Sequence, residues 1–184
     1  MPLPIAVNHC GACLKKPPWF DKTIALFFYQ APIERFIIEL KFNKKLIYAK
    51  LLGTLMVEYL KNQHTLPECI IPVPLHRKRL QERGYNQALE IARPLAKQLK
   101  IPLLTTACRR IKPTSAQLHL PASARRRNVK GAFRVDEGFS FKHVAIVDDV
   151  VTTASTVAEL SKILKQAGVQ MIEVWCCARV HLNC

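Results

Sequence analysis

The chain has 184 residues, enough for one compact domain, and its 49% of hydrophobic residues supply a core, which excludes an intrinsically disordered protein. No apolar run is long enough to span a bilayer, and the N-terminus lacks the basic and apolar segments of a signal peptide, so we expect a cytoplasmic protein. The formal net charge of +15 predicts an anionic partner: nucleic acid, a nucleotide, another phosphorylated ligand or an anionic membrane face.

Residues 1–22 are predicted to form an irregular N-terminal module that is separate from the domain at 23–184. The module contains Cys10 and Cys13, a CxxC pair that supplies half of the four ligands of a structural zinc site. The domain is predicted to begin with an aromatic-rich strand at 23–29. An α-helical hairpin follows over 31–63, because apolar side chains recur there at helical spacing on both sides of a polar break.

The middle of the chain is predicted to contain a buried strand, a basic loop and a helix. The strand covers 69–73 and runs into a basic loop that contains Gly84. The helix has an apolar face over 88–99, and Pro94 within it is expected to kink or break it. Residues 103–108 have the composition of another strand.

Residues 109–130 are polar and basic and show no apolar periodicity, which is typical of a functional or mobile loop. The rest of the chain is predicted as a strand at 131–135, a buried strand at 144–148, a helix over 157–167 and a last strand at 169–178. Gly168 is a good termination signal for that helix. Strands that alternate with helices predict an α/β fold with a mostly parallel central sheet flanked by helices, and ligands of such folds bind at the carboxyl ends of the strands.

The seven cysteines are an odd number in a chain without an export signal, so we expect no disulfides. Four of them lie beside apolar residues and are expected to act as small core side chains. These are Cys69, Cys108, Cys176 and Cys177.

Asp148 and Asp149 follow the buried strand at 144–148, and several hydroxyl side chains precede the next helix. A helix N-terminus with nearby hydroxyls suits a phosphate, whereas the aspartates suit sugar hydroxyls or a divalent cation. A ligand with a ribose and a 5-phosphate satisfies both halves. The alternative is an N-capping cluster, which explains Ser155 or Thr156 but not two consecutive aspartates after a buried strand.

The stretch VAIVDDVVTTAST at 144–156 resembles the phosphoribosyl pyrophosphate (PRPP) motif of type I phosphoribosyltransferases. Three further stretches resemble the ComF family, which is named for bacterial competence for DNA uptake: CGACLKKPPWFD at 10–21, IPVPLHRKRLQERGYNQALEIARPLAK at 71–97, and TSAQLHLPASARRRNVKGAF at 114–133. The resemblance spans almost the whole chain. It implies a type I phosphoribosyltransferase-like fold.

The resemblance also implies roles for individual residues. PRPP would arrive with Mg²⁺, and Asp148 and Asp149 would bind its ribose. Its 5-phosphate would be held by Val151, Thr152, Thr153, Ala154, Ser155 and Thr156, with Ala154 where this loop commonly has glycine. The pyrophosphate loop would be Pro74, Leu75, His76 and Arg77. The signature and the flexible hood would comprise Arg83, Gly84, Tyr85, Asn86, Gln117, Arg125 and Asn128.

The positive charge is concentrated in 76–83, 109–112 and 125–130, which hold eleven of the 28 Lys and Arg residues. Arginine matches phosphate oxygens well, although any one of these side chains taken alone is equally well explained as a solvated charge. Together with the resemblance, the clusters predict contacts to single-stranded DNA by Arg77, Lys78, Arg79, Arg109, Arg110, Arg125, Arg126, Arg127 and Lys130. Tyr85 is either a packed aromatic or a platform for a base.

Members of the ComF family usually carry a second CxxC shortly before the one at Cys10 and Cys13. We therefore expect Zn²⁺ binding only if such an upstream pair is present. Other competence proteins at the inner membrane are expected partners.

Two functions remain open on the sequence. The first is a PRPP-binding protein that handles single-stranded DNA and is required for natural transformation. The alternative is an active phosphoribosyltransferase that transfers ribose 5-phosphate to an unidentified nitrogen acceptor, with Mg²⁺ and the carboxylates stabilising a cation-like sugar. A regulator that senses PRPP is a third, less specific possibility.

Overall fold

A computed structural model of the chain describes residues 17–62, 65–113 and 127–180. Its elements in chain order are β1 (Lys22–Phe28), α1 (Ile33–Phe42), α2 (Ile47–Leu60), β2 (Cys69–Pro72), α3 (Arg77–Arg83), α4 (Gln87–Leu99), β3 (Cys108–Arg110), β4 (Phe133–Val135), β5 (His143–Val151), α5 (Ser155–Gln166) and β6 (Met171–Arg179). The predictions for Cys10, Cys13, Gln117, Arg125 and Arg126 lie outside the described residues.

The central sheet has four strands in the order β1–β6–β5–β2, and every neighbouring pair is parallel. This confirms the predicted parallel sheet flanked by helices. β3 and β4 form a separate antiparallel ribbon. Because the sheet is parallel, the carboxyl ends of β2, β5 and β6 lie along one edge, which we call the carboxyl edge.

Two cores cover the two faces of the sheet, and residues of β5 alternate between them as a strand requires. Ala145 and Val147 pack with side chains of α1, α2 and α4. Val144 and Ile146 pack with side chains of α5 and of the β3–β4 ribbon. The helices α1, α2 and α4 therefore lie on one side of β5, and α5 and the β3–β4 ribbon lie on the other.

The four cysteines predicted to be core side chains are buried, as expected: Cys69, Cys108, Cys176 and Cys177. Burial raises the pKa of the Cys69, Cys108 and Cys176 thiols to about 12. Because the thiolate is the reactive form, these cysteines are inert near neutral pH.

The prediction of a basic loop after β2 was wrong, because residues Arg77–Arg83 form the helix α3. The His76 side chain accepts a hydrogen bond from the backbone N–H of Lys78 and caps the N-terminus of the helix. Gly84 ends the helix with φ of 86°, a left-handed conformation that glycine adopts without strain. Such a short helix has no apolar period, and its caps are the only sequence signal for it.

The strand predicted at 103–108 was also wrong. Leu103 makes one isolated β-bridge with Ile70, the chain bends over 105–107, and the strand β3 begins only at Cys108. Part of the predicted 109–130 loop belongs to β3, because Arg109 and Arg110 pair with β4.

α4 continues through Pro94, so the expected break does not occur there. Pro94 instead packs against α2, where Gly53 provides the space: a Cβ on Gly53 would lie 2.4 Å from the Pro94 Cγ. Among the described residues, no helix combines the length and the hydropathy that a bilayer span requires.

Candidate functional site

The acidic pair lies within β5, which continues to Val151 rather than ending at Asp148 as predicted. Pairing with β6 extends to Val151 and Arg179, and this extends the strand through both aspartates. The backbone N–H of Asp149 donates to Asp148 Oδ1 at 2.9 Å, and that of Val150 donates to Asp149 Oδ1 at 2.8 Å. The carboxyl groups of Asp148 and Asp149 are close enough to interact with each other.

Asp149 is almost completely buried and is paired with a lysine from α1. The Lys41 Nζ lies 2.7 Å from Asp149 Oδ2, and the two side chains are 23% and 4% exposed. Burial alone would lower the pKa of Lys41, but the carboxylates of Asp149 and Asp148 outweigh it and raise that pKa above its ordinary value. Lys41 therefore stays charged. Asp149 Oδ1 accepts the Val150 N–H, whereas Oδ2 has Lys41 as an ion-pair partner without a well-oriented hydrogen bond.

Asp148 keeps partial contact with solvent. Desolvation and the neighbouring Asp149 raise the pKa of its carboxyl to about 8. Arg110 of the β3–β4 ribbon interacts electrostatically with Asp148. Burial lowers the pKa of Arg110, and the attraction between its charge and Asp148 opposes that shift. The negative charge of Asp148 is thus compensated less by neighbouring side chains than that of Asp149.

The signature segment 83–86 connects α1, β2 and α4. The Tyr85 hydroxyl donates to the backbone carbonyl of Leu40 in α1, and the Arg83 guanidinium lies 6.0 Å from the centre of the Phe42 ring. Asn86 accepts from the backbone N–H of Ala88 at 3.0 Å, and this hydrogen bond caps α4.

The Asn86 side chain also donates to the Val73 carbonyl at 3.0 Å, beside the carboxyl end of β2. Tyr85 is partly buried against the core on the α1 side. The contacts of this segment hold the end of α1 against the carboxyl edge.

Between the end of α1 and α3 there is a cleft of about 170 Å³. It is lined by Lys41, Phe42, Lys44, Arg79, Glu82 and Arg83. Lys41 was not predicted as a site residue, because the polar stretch around it indicates only a break between two helices. No local signal connects Lys41 to an aspartate so distant in the sequence.

The loop from Val151 to Thr156 leads from the acidic pair into α5. Ala154 is the N-cap of α5, with φ of 57°, and it makes no side-chain capping hydrogen bond. The hydroxyls of Thr153 and Ser155 lie 2.8 Å apart and bond to each other. The alternative that these hydroxyls form an N-capping cluster is not supported, since the N-cap position itself holds an alanine.

The predicted pyrophosphate loop, residues 74–77, follows β2 directly and leads into α3. The backbones of His76 and Arg110 form an isolated β-bridge. This pairing brings the basic segments 76–83 and 109–112 together. The Lys112 Nζ donates to the Lys130 carbonyl at 3.2 Å, which adds the described part of the third basic segment.

The basic side chains predicted to contact DNA differ in exposure. Arg79 and Arg110 are partly buried, and Asn128 of the predicted hood is also partly buried. Arg109 is 68% exposed and lies 3.4 Å from Asp136. The remaining described ones are exposed: Arg77, Lys78, Arg127 and Lys130.

The residues at the carboxyl edge suit Mg²⁺ that arrives with a phosphorylated ligand. Mg²⁺ is usually held by one or two carboxylates together with substrate phosphates and water. Asp148 has the required oxygen donors and would gain from a nearby cation, whereas Asp149 already has Lys41. Within 17–62, 65–113 and 127–180, no group of three or more His, Cys, Asp or Glu side chains is arranged to hold a metal ion by itself.

An acidic pair on a parallel strand, followed by a hydroxyl-rich turn into a helix, is the arrangement expected of the phosphoribosyltransferase class. The family model described as "Phosphoribosyl transferase domain" matches residues 86–181. The chain is 41% identical to Competence protein F of Haemophilus influenzae over 180 residues, which cover 94% of this chain and 79% of that protein. The chain therefore belongs to the ComF family of phosphoribosyl transferase domain proteins.

A second relative is DNA utilization protein YhgH of Escherichia coli O157:H7, at 39% identity over 96% of this chain and 81% of that protein. A solved adenine phosphoribosyltransferase from Leishmania donovani aligns over 84% of both chains with 10% identity and a TM-score of 0.40, values too low to add to the assignment.

Proposed function

We propose that this chain binds PRPP with Mg²⁺ and handles single-stranded DNA in natural transformation. The family and the names of its relatives, Competence protein F and a DNA utilization protein, support a competence role. One observation carries the PRPP assignment. The turn into α5 has its hydroxyls next to the acidic pair, yet those of Thr153 and Ser155 bond to each other and do not cap the helix.

The two halves of the site match the two halves of the ligand. The N-terminus of α5 and the hydroxyls of 152–156 would receive the 5-phosphate, since free N–H groups and the helix dipole favour an anion there. Asp148 would be the principal acceptor for the ribose hydroxyls and the ligand for Mg²⁺, because Lys41 already compensates the charge of Asp149. Residues 74–77 and α3 would receive the pyrophosphate.

Calorimetric titration with PRPP and Mg²⁺ tests this assignment. We expect saturable binding to the wild-type protein and a loss of affinity of at least about a hundredfold in Asp148→Asn, since the change removes the carboxyl group that would ionise to bind Mg²⁺ and the ribose hydroxyls. Glu58→Gln is the matched control, because Glu58 is an exposed carboxylate on α2. Unchanged affinity in Asp148→Asn would refute the assignment of the site.

The DNA assignment depends on the basic segments 76–83 and 109–112 and on the described residues 127–130, which lie close to one another. A groove that follows phosphates needs no sequence-specific contacts, and its affinity falls steeply with salt. Lys78 is exposed at the start of α3 beside the carboxyl edge, whereas Lys97 is exposed at the far end of α4. Lys78→Glu and Lys97→Glu change the net charge equally.

We expect Lys78→Glu to weaken oligonucleotide binding by about tenfold and to reduce the salt slope by about one unit, and Lys97→Glu to have little effect. Fluorescence anisotropy with a labelled oligothymidylate at several salt concentrations measures both quantities. Equal losses in the two variants would mean that net charge alone attracts the DNA.

The enzymatic alternative is favoured by the same acidic pair and phosphate loop. A pyrophosphate-release assay with a panel of nitrogen bases, with and without single-stranded DNA, tests it directly. Release with one acceptor would establish a transferase and identify its substrate. Binding without release by any acceptor in the panel would support a site that only binds PRPP.

A further inference from the structure

The ion pair between Lys41 and Asp149 has so far served only to distinguish Asp148 from Asp149. It joins the last turn of α1 to the carboxyl edge of β5, two segments far apart in the sequence. The Lys41 side chain is 23% exposed and borders the cleft beside α3. Lys41 is therefore both inside the protein and next to the proposed ligand site.

The position of Lys41 is fixed by its neighbours along α1. The carbonyl of Leu40 accepts the Tyr85 hydroxyl, and the Phe42 ring lies under the Arg83 guanidinium. Residues on both sides of Lys41 are thus held by the segment 83–86. A side chain held in this way has a defined geometry rather than the freedom of a surface lysine.

The ion pair makes the two aspartates unequal. Lys41 compensates the charge of Asp149 at 2.7 Å, and the Val150 N–H occupies its other oxygen. Asp148 receives the backbone N–H of Asp149 and lies on the side of Arg110. The pair together with Lys41 carries a net charge of about −1 in place of −2, when both aspartates are ionised.

Two adjacent uncompensated carboxylates are a good site for a divalent cation by themselves and a poor place for a phosphate. One uncompensated carboxylate holds a divalent cation weakly unless ligand phosphates complete the coordination. The lysine therefore changes which partner the site takes first.

We propose that Lys41 is a positioning residue that acts as a built-in counter-cation for Asp149, so that the site takes up a divalent cation only together with a polyphosphate ligand. This inference rests on the proposed function for the identity of the ligand. It assigns Asp149 a structural and electrostatic role through Lys41. Asp148 is left as the carboxylate that meets the ligand and its metal.

The test compares metal binding without any ligand in the wild-type protein and in Lys41→Met. Mn²⁺ alone is the probe, and electron paramagnetic resonance measures its free concentration. We expect the wild-type protein to bind Mn²⁺ weakly and Lys41→Met to bind it at least about tenfold more tightly. Lys97→Met, which removes an equal charge at the far end of α4, is expected to behave as the wild type.

PRPP binding provides the second readout. At a Mg²⁺ concentration just sufficient to saturate PRPP, Lys41→Met is expected to bind PRPP about tenfold more weakly, because its site carries one more uncompensated negative charge. Lys41→Arg keeps the charge and is expected to retain most of the affinity. Mn²⁺ binding by Lys41→Met at the wild-type level would overturn the inference, because a merely structural lysine would not change it.

The double variant Lys41→Met/Asp149→Asn keeps the inference testable if Lys41→Met does not fold. It restores the net charge of the wild-type site without the ion pair. We expect weak Mn²⁺ binding, as in the wild type, and PRPP affinity within about threefold of it. A loss of PRPP affinity of tenfold or more in the double variant would show that Asp149 itself contacts the ligand, which contradicts the inference.

The two proposals fail in different ways. If the wild-type protein does not bind PRPP, the proposed function fails, and the Mn²⁺ comparison still decides the role of Lys41. If PRPP binds and Mn²⁺ binding does not respond to Lys41, the inference fails and the proposed function stands.

Discussion

The loop 151–156 and the end of α1 lie on either side of the same acidic pair, but they are built in different ways. The loop is one continuous stretch, and its residues occupy the site because β5 runs directly into α5. The end of α1 reaches the site through contacts between distant segments: Lys41 with Asp149, and Leu40 with Tyr85. One side is encoded locally and the other is created by the fold.

Because of this difference, the local sequence predicts where the site lies, whereas the charge of the site depends on contacts between distant segments. The local side shows that a hydroxyl-rich turn, which we propose to bind a phosphate, follows two aspartates. The other side shows that one of those aspartates is already neutralised. Changes to the two sides should therefore have different consequences, and the following predictions are ordered from the largest expected effect to the smallest.

The largest effect is expected for Asp149→Asn, which leaves the mostly buried Lys41 without its counter-ion. Breaking a buried pair by removing one partner costs about 3–5 kcal/mol, and we expect about 2 kcal/mol here because Lys41 is partly exposed and repulsion of Asp148 is relieved. Urea denaturation at pH 7.5 measures the free energy of unfolding.

Glu58→Gln is the control for that measurement. It breaks an ion pair with the same 2.7 Å separation, between Lys61 and Glu58, but both side chains are about half exposed or more. Exposed pairs contribute little, so we expect a change within about 0.5 kcal/mol. Equal losses of stability in the two variants would mean that the buried Lys41–Asp149 pair stabilises the fold no more than the exposed Lys61–Glu58 pair.

The next effect concerns Asp148 and depends on pH. Its carboxyl has a pKa raised to about 8 in the folded protein, against 3.8 for the unperturbed group. Between these values the folded state binds more protons than the unfolded state, so Asp148 makes the protein less stable as the pH rises towards 8. Asp148→Asn removes this dependence.

We therefore expect Asp148→Asn to be more stable than the wild type at pH 8.5, by about 1 kcal/mol after allowance for its contact with solvent. At pH 5 the advantage should be much smaller. Thermal unfolding of both proteins at pH 5, 7 and 8.5 gives the difference directly. A difference that stays constant over this range would contradict the raised pKa.

The sequence predicted those parts of the protein that depend on local periodicity. The helices α1, α2 and α5, the strands β2, β5 and β6 and the parallel sheet follow from apolar spacing and glycine signals, and the structure confirms them. The short helix α3 was missed because its evidence is two caps, at His76 and Gly84, rather than a period.

The site divides in the same way. The acidic pair and the loop 151–156 were predicted from a continuous motif. The structure has the pair on β5 and the loop directly before α5, and their roles stay predictions. Lys41 was missed because an ion pair between distant segments leaves no spacing pattern. Cys10, Cys13, Gln117 and Arg125 fall outside the described residues, so the expectations about zinc and about that part of the hood stay predictions.

The smallest effect is expected in the loop 151–156, at Ala154. Its φ of 57° lies in the left-handed region, which costs an L-residue about 1 kcal/mol relative to glycine. Ala154→Gly relieves this cost but increases the entropy of the unfolded chain by a similar amount, about 0.4–1 kcal/mol.

We therefore expect Ala154→Gly to change the free energy of unfolding by no more than about 0.5 kcal/mol. Ala167→Gly makes the same substitution at the other end of α5, where φ is −80° and glycine has no strain to relieve. That variant should lose about 0.5–1 kcal/mol. Urea denaturation of both compares one chemical change in two backbone conformations. Equal decreases in the free energy of unfolding would show that the backbone of Ala154 is not strained.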